Sequence, residues 1–377
     1  MPYKLQPAVI GTAIRPAITG NTRSLEEIIY ETSQAALADA GIAPEDIDGI
    51  VVGCNDQFDG RAISVMMASG PTGGVDRDIL STPSSSEHAF ILGALRVASG
   101  HYRTQLVVAW SPTEASSLSE AQRLGADPYF HRALPLDELS AHALQAGAVE
   151  RRVPGARDAA QAVMAKNRAH AARAFPNLPS PQTPGPARWP LSAEMTSAPT
   201  SGCVALVLAG PDLAAARNPA WVRGMGWATE PSFLGDRDLS TAPALSAAAA
   251  QAYAEAGLGG PDAIDLAEVT DATPYAELLA YEALRLCPAS EWGMHLANGR
   301  FAADGRLPVN PSGGVLGFNP VFCTGLIRIA EVANQVRGRA GRHQHPAARL
   351  GLAHAGSGFA MQYQAAILLG REREARA

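Results

Sequence analysis

The sequence predicts an α/β protein made of two similar halves with an insertion between them. Two internal echoes and a recurring alternation of short apolar runs with helical patterns carry that expectation. Residues 38–50 read A-D-A-G-I-A-P-E-D-I-D-G-I, and residues 254–266 read A-E-A-G-L-G-G-P-D-A-I-D-L. Residues 93–98, G-A-L-R-V-A, return as G-L-I-R-I-A at 325–330. Both echoes occur in the same order in each half.

In each half an alanine-rich amphipathic stretch, 25–37 or 245–253, leads into the first echo. This reads as a helix closed by a C-terminal glycine, Gly41 or Gly257, then a short acidic loop and a buried strand. The second echo sits inside a helical pattern, followed by a strand at 105–110 in one half and 349–353 in the other. Opening strands are expected at 8–14 and 220–228. The order in each half is then strand, helix, strand, helix, strand, which places helices on a largely buried sheet. Residues 117–191 have no counterpart of similar length. They hold a helical stretch at 156–172 and a proline-rich run at 177–190 that reads as an irregular covering loop, a lid over a site. The expected division is 1–116 with 192–215 as the N-terminal half, 117–191 as the insertion, and 216–377 as the C-terminal half.

Composition excludes several classes of function. With 47% hydrophobic and 18% charged residues among 377, the chain is too apolar to be disordered. A net charge of −6 gives no electrostatic basis for a nucleic-acid partner. Four cysteines, Cys54, Cys203, Cys287 and Cys323, form no C-x-x-C pair, so neither a disulfide framework nor a zinc ribbon arises from this chain. No charged-then-apolar leader opens the sequence, and no apolar run approaches the ~20 residues that cross a bilayer. A cytoplasmic protein without a membrane partner is expected. The two lysines, Lys4 and Lys166, both read as exposed, which leaves no buried amine for Schiff-base chemistry.

More specific signals lie towards the C-terminus. They are D-A-T-P-Y-A-E-L-L-A-Y-E at 271–282, N-P-S-G-G at 310–314, Thr324 and Gly325 opening the helix at 326–336, and H-A-G-S-G at 354–358. T-S-G-C-V-A-L-V-L at 200–208 adds a strand entered through small residues. Taken in order, this set resembles the thiolase superfamily, and within it the sterol-carrier-protein-type, lipid-transfer branch, over nearly the whole chain. The resemblance implies a duplicated α-β-α-β-α layered fold. It also implies an acyl-CoA enzyme that makes or breaks a carbon–carbon bond beside a thioester, with coenzyme A carried in as the substrate thioester.

Members of that superfamily use a cysteine at a helix N-terminus, a histidine in a G-H-P segment and a second cysteine near the C-terminus. This chain departs at all three positions. The nucleophile slot falls at or beside Pro83, in S-T-P-S-S-S-E at 81–87; Asn319 of G-F-N-P stands in place of the histidine; His354 stands in place of the second cysteine.

The replacements define the candidate site. Ser84 and Ser85, with Ser86 beside them, are candidate nucleophiles, while Ser84-x-x-Glu87 also has the spacing of a capping box that would start a helix running to Ser99. His354 precedes a glycine-rich turn that would aim it into the cleft between the halves, where an imidazole is suited to general acid–base work. Asn319 can donate an amide N–H to an enolate oxygen or cap the helix after Pro320. Tyr275 is either an acid or a packed core residue. Ser312, Gly313, Gly314 and Gly356 are expected to contact the coenzyme A thioester.

Retro-aldol cleavage of a β-hydroxyacyl-CoA needs only a base and an oxyanion pocket, so it fits what remains, as does direct attack by a coenzyme A thiolate. Thiolysis and acyl transfer of β-oxoacyl-CoA stay open beside it. The alternative is a non-catalytic acyl-CoA-binding or scaffold subunit of a heteromeric complex. No metal site is expected: His343 and His345, near Arg337, Arg339 and Arg342, read as a solvated loop or a contact for the 3′-phosphate of coenzyme A. By resemblance, a homodimer is expected, together with a small companion subunit carrying a zinc ribbon and an oligonucleotide-binding-type barrel.

Overall fold

The computed structural model describes residues 4–16, 23–60, 62–83, 85–111, 117–176 and 187–373. Its strands are β1 (Ala8–Pro16), β2 (Gly49–Gly53), β3 (Asp78–Thr82), β4 (Thr104–Ser111), β5 (Gly202–Ala209), β6 (Ala220–Thr229), β7 (Leu266–Val269), β8 (Leu350–Ser357) and β9 (Tyr363–Gly370). Helices of two turns or more are α1 (Leu25–Ala40), α2 (Ser86–Ala98), α3 (Leu118–Gly125), α4 (Glu138–Arg152), α5 (Ala156–Ala174), α6 (Pro243–Glu255), α7 (Pro274–Ala283) and α8 (Thr324–Arg337).

The strands form a nine-stranded sheet in the order β3-β2-β4-β5-β1-β6-β9-β8-β7. The duplication is visible in the pairing. β2 runs parallel to β4, β5 antiparallel to β4 and β1; likewise β7 runs parallel to β8, and β9 antiparallel to β8 and β6. Even β3, parallel to β2, has a vestigial counterpart in the parallel bridge between Ala267 and Val309. The predicted duplicated α/β fold is therefore present.

Helices α2 and α8 lie between the two halves. Phe90, Ala94 and Val97 of α2 pack with Leu326, Ile329 and Ala333 of α8, against Val51, Val107 and Leu206 on one side and Ala353 and Ile367 on the other. The alternate residues Val52, Leu106 and Val108 face α1, and Leu352 and Leu368 face α6 and α7. Strands β2, β4, β5 and β7 are thus buried on both faces, which accounts for the uninterrupted apolar runs in the sequence. α1 shows why its ends were legible: Ser24 and Glu27 form a reciprocal capping box, and Gly41 closes the helix at φ 65°, a conformation that favours glycine.

The insertion is more than a cover. Val149 of α4 and Val163 of α5 join the core that contains Tyr275 and Leu278 of α7. Lys166, expected on the surface, is half-buried on α5: its Nζ lies 2.8 Å from the Glu277 carboxylate and donates to the Val309 carbonyl at 2.7 Å. His343, expected in solvent, is buried, and its Nε2 is 2.8 Å from Glu331. Lys166 finds its partner because α5 packs on the second half, and His343 is covered by Phe175 at the end of α5 while it pairs with Glu331 of α8.

Candidate functional site

A cavity of about 800 Å³ opens where the starts of α2 and α8 converge. Pro83 and Ser85 enter it from the α2 side, and Asn319, Phe322 and Thr324 from the α8 side. Thr270 and Thr273, between β7 and α7, form its floor with Gly356, Ser357 and Tyr363 of the β8–β9 hairpin, and the insertion covers it with Leu118, His131, Glu138 and His142. Two helix starts facing one hollow bring the positive ends of two helix dipoles to it, an arrangement suited to an oxyanion.

Several sequence-derived candidates meet here. Pro83, Ser85, Asn319 and Gly356 all line the cavity. Ser84 lies outside the described residues. Ser85 is the N-cap residue of α2 but makes no side-chain capping bond, and Glu87 directs its carboxylate to the Ser357 hydroxyl, 2.9 Å away, rather than serving a capping box. Ser86 is buried and accepts a hydrogen bond from the Leu326 amide at 3.0 Å, so it caps the opposite helix instead of presenting a nucleophile. Asn319 does not cap α8, which begins at Thr324 after Cys323; its Nδ2 donates to the Ser197 carbonyl at 3.0 Å.

Other candidates lie elsewhere. His354 faces away from the central layer, because Ala353 and Ala355, its neighbours along β8, occupy that side. Its Nε2 is 2.7 Å from Gln364 Oε1 in a small separate cavity shared with Gln145, Glu230 and Arg237. Burial pushes its pKa down to about 4, so the ring is neutral at pH 7. Tyr275 points outward to α4, where its hydroxyl donates to Glu150, and burial raises its phenol above the ordinary range.

The N-P-S-G-G segment serves as a keystone beneath the cavity. Ser312 donates to Glu268, which pairs with Arg328 of α8, all three being buried. Asn310, at φ 53°, accepts from the Val269 amide and donates to Glu277 at 2.7 Å. Gly313, at φ 94°, lies so close to α5 that a Cβ there would stand 2.4 Å from the Ala171 Cβ, and Gly314 abuts Asp271 in the same way. Asn167 bridges Asp271 and Glu277, at 2.7 Å and 2.5 Å. Burial, aided by the Glu277 charge, lifts the Asp271 pKa to about 8. Ser312, Gly313 and Gly314 therefore do not reach the cavity, although Val315, the residue after this segment, does.

None of the four cysteines lines the cavity. All are buried, and burial pushes the thiols of Cys54, Cys203 and Cys287 up to about 12 and that of Cys323 upward as well. Two groups escaped the sequence reading. Glu138 is partly buried, and desolvation, with the Asp137 charge adding to it, raises its carboxyl to about 7. Nothing in its sequence context marks it, since its burial comes from the folded insertion. Ser357, by contrast, lies inside the H-A-G-S-G signature and could have been singled out there. Among the described residues, no cluster of three or more His, Cys, Asp or Glu is placed to hold a metal, and no helix is long and apolar enough to cross a membrane.

Comparison with known proteins agrees with this architecture. Residues 227–371 match the family "Thiolase C-terminal domain-like". Sterol carrier protein 2 of Rattus norvegicus is 41% identical over 108 residues, 28% of this chain and 20% of that protein. Acetyl-CoA acetyltransferase of Methanothermobacter thermautotrophicus is 35% identical over 159 residues, 41% of each chain. The chain thus spans about a fifth of the sterol carrier protein and under half of the acetyltransferase. Among solved structures, the Ltp2-ChsH2(DUF35) aldolase superposes with a TM-score of 0.81 at 22% identity, over 98% of this chain and 99% of that one. Residues 227–371 thus belong to the family "Thiolase C-terminal domain-like", and the chain is similar over part of its length to sterol carrier protein 2 and to an acetyl-CoA acetyltransferase.

Proposed function

We propose that the chain acts on a coenzyme A thioester in the inter-half cavity and breaks or forms a carbon–carbon bond beside the thioester carbonyl without a cysteine nucleophile. The observation that carries this reading is the lining itself. The two helix starts meet a hollow furnished with Ser85, Thr270, Asn319, Thr324 and Ser357, while every thiol is buried elsewhere and held protonated. Hydroxyls, amides and helix N-termini can hold an enolate oxygen, and a retro-aldol needs no covalent acyl-enzyme.

In that step a base takes the proton from the β-hydroxyl of a β-hydroxyacyl-CoA. The carbon–carbon electron pair passes to the α-carbon and the thioester oxygen, a carbonyl compound leaves, and the enolate is reprotonated to an acyl-CoA. The aldolase named among the structural neighbours supports this choice over thiolysis, and the DUF35 component in its name supports a companion subunit for this chain. Ser85 and Asn319 are proposed to contact the thioester, with Gly356 forming part of its wall. His354 is proposed to stiffen the β8–β9 hairpin through Gln364.

The test is product analysis. β-Hydroxyacyl-CoA thioesters are incubated with the purified chain, with and without free coenzyme A, and the products are identified by mass spectrometry. Release of a carbonyl compound and a shortened acyl-CoA without added coenzyme A is expected. With a β-oxoacyl-CoA offered in place of the β-hydroxy thioester, cleavage that requires free coenzyme A and yields two acyl-CoA products would instead establish thiolysis.

A further inference from the structure

We propose that Glu87 and Ser357 form the proton relay of this site, with the Ser357 hydroxyl touching substrate and the Glu87 carboxylate acting through it; this rests on the function proposed above. Glu87 sits in the first turn of α2 and is only 1% exposed, and its Oε1 accepts the Ser357 hydroxyl at 2.9 Å. Ser357 ends β8 in the other half and lines the cavity, opposite Tyr363 of β9 in the strand register. The second carboxyl oxygen, Oε2, is buried with no hydrogen-bond partner among the described residues. It lies against the first turn of α8, where a Cβ on Gly325 would stand 2.4 Å from it.

A buried carboxylate with one oxygen unsatisfied costs stability, and purely structural carboxylates are normally bonded at both oxygens. No arginine or lysine pairs with it among the described residues; its titratable neighbour is His88, whose Nδ1 is 3.6 Å away and whose ring meets Tyr363 edge-on. Burial raises the Glu87 carboxyl above its ordinary value, opposed by His88, which suits a group that must both take and return a proton.

The relay balances. As the substrate β-hydroxyl loses its proton to Ser357 Oγ, the serine passes its own proton to Glu87. The carbon–carbon bond breaks and its electron pair moves onto the thioester enolate. The proton on Glu87 then returns through Ser357 to the α-carbon, and both residues regain their starting state.

Run without cleavage, the same relay exchanges the α-hydrogen of a plain acyl-CoA with solvent. The full chain is incubated in D2O with acetyl-, propionyl- and hexanoyl-CoA, and deuterium entering the α-position is followed by mass spectrometry. Binding of the same thioesters is measured by calorimetry. The unaltered chain is expected to bind and exchange. E87Q and S357A should still bind and lose about 100-fold or more in exchange rate, and S357T should restore it. The ionisation in the pH profile of exchange should vanish in E87Q. Full exchange by E87Q or S357A overturns the relay and leaves the proposed function standing. Loss of binding by both variants marks the pair as structural and also overturns it. An unaltered chain that binds none of the thioesters overturns both.

Discussion

The Ser86 hydroxyl, in the first turn of α2, accepts a hydrogen bond from the Leu326 amide in the first turn of α8 at 3.0 Å, across 240 positions of sequence. This bond fastens together the two helix starts that flank the cavity. Ser86→Ala leaves a buried N–H without a partner, a loss of about 1–3 kcal/mol. Urea denaturation should show a lowered midpoint with unchanged slope, and acyl-CoA affinity should fall. A midpoint equal to that of the unaltered chain would remove the fastening role.

The cysteines give a chemical prediction. Their relative exposures are 5%, 0%, 4% and 0% for Cys54, Cys203, Cys287 and Cys323, and their thiols are held protonated by burial. Iodoacetamide at pH 8 should label none of them in the native chain and all of them after denaturation. Activity should survive the treatment. Rapid loss of activity with a single alkylated cysteine would return the chemistry to a thiol.

His354 makes a prediction about pH. Its folded-state pKa of about 4 lies below the ordinary 6.5, so between those values the unfolded chain takes up a proton that the folded chain refuses. The unaltered chain therefore loses stability as pH falls through this window, by up to ~1.4 kcal/mol per pH unit from this residue. His354→Gln removes that dependence. Stability curves for the two chains should run parallel above pH 6.5 and converge towards pH 4; parallel curves throughout would mean that His354 protonates freely in the fold.

The Lys166–Glu277 pair predicts how firmly the insertion is held. Both side chains are largely out of solvent, at 10% and 0% exposure. Lys166→Met strands a buried carboxylate and should cost about 3–5 kcal/mol in a denaturant titration. Limited proteolysis should then cut within α5, which the pair ties to α7. An unchanged cleavage pattern would show that the apolar contacts of Val163 hold the helix unaided.

The fold was readable because its inner strands, such as β2, β4 and β5, are apolar on both faces and its helices end in strong signals, Ser24 with Glu27 at one end of α1 and Gly41 at the other. The same double burial hid much of the site. A strand covered on both sides carries no inward or outward pattern, so the side on which His354 stands could not be read from its neighbours. Tyr275 had the same difficulty: α7 is buried from Pro274 to Tyr281, without a polar stripe to orient it. Strand β3, with its exposed Asp78 and Ser81, and strand β9 were not anticipated as separate elements. Pro83, Ser85 and Asn319 meet because the loops that follow the duplicated strands converge, whereas Glu138 depends on how the insertion folds back, which pattern alone does not encode.

The seam between the halves has a bearing on how a guest enters. Residues Ala8 and Val9 pair with Trp221 and Ala220, and the Val222 amide donates to the Pro7 carbonyl at 3.0 Å. Because main chain stitches one lobe to the other, the cleft cannot gape like a clamshell. On the function proposed above, a long thioester tail would pass the roof formed by α3 and the first turn of α4, which puts control of traffic at the ceiling and not at a hinge.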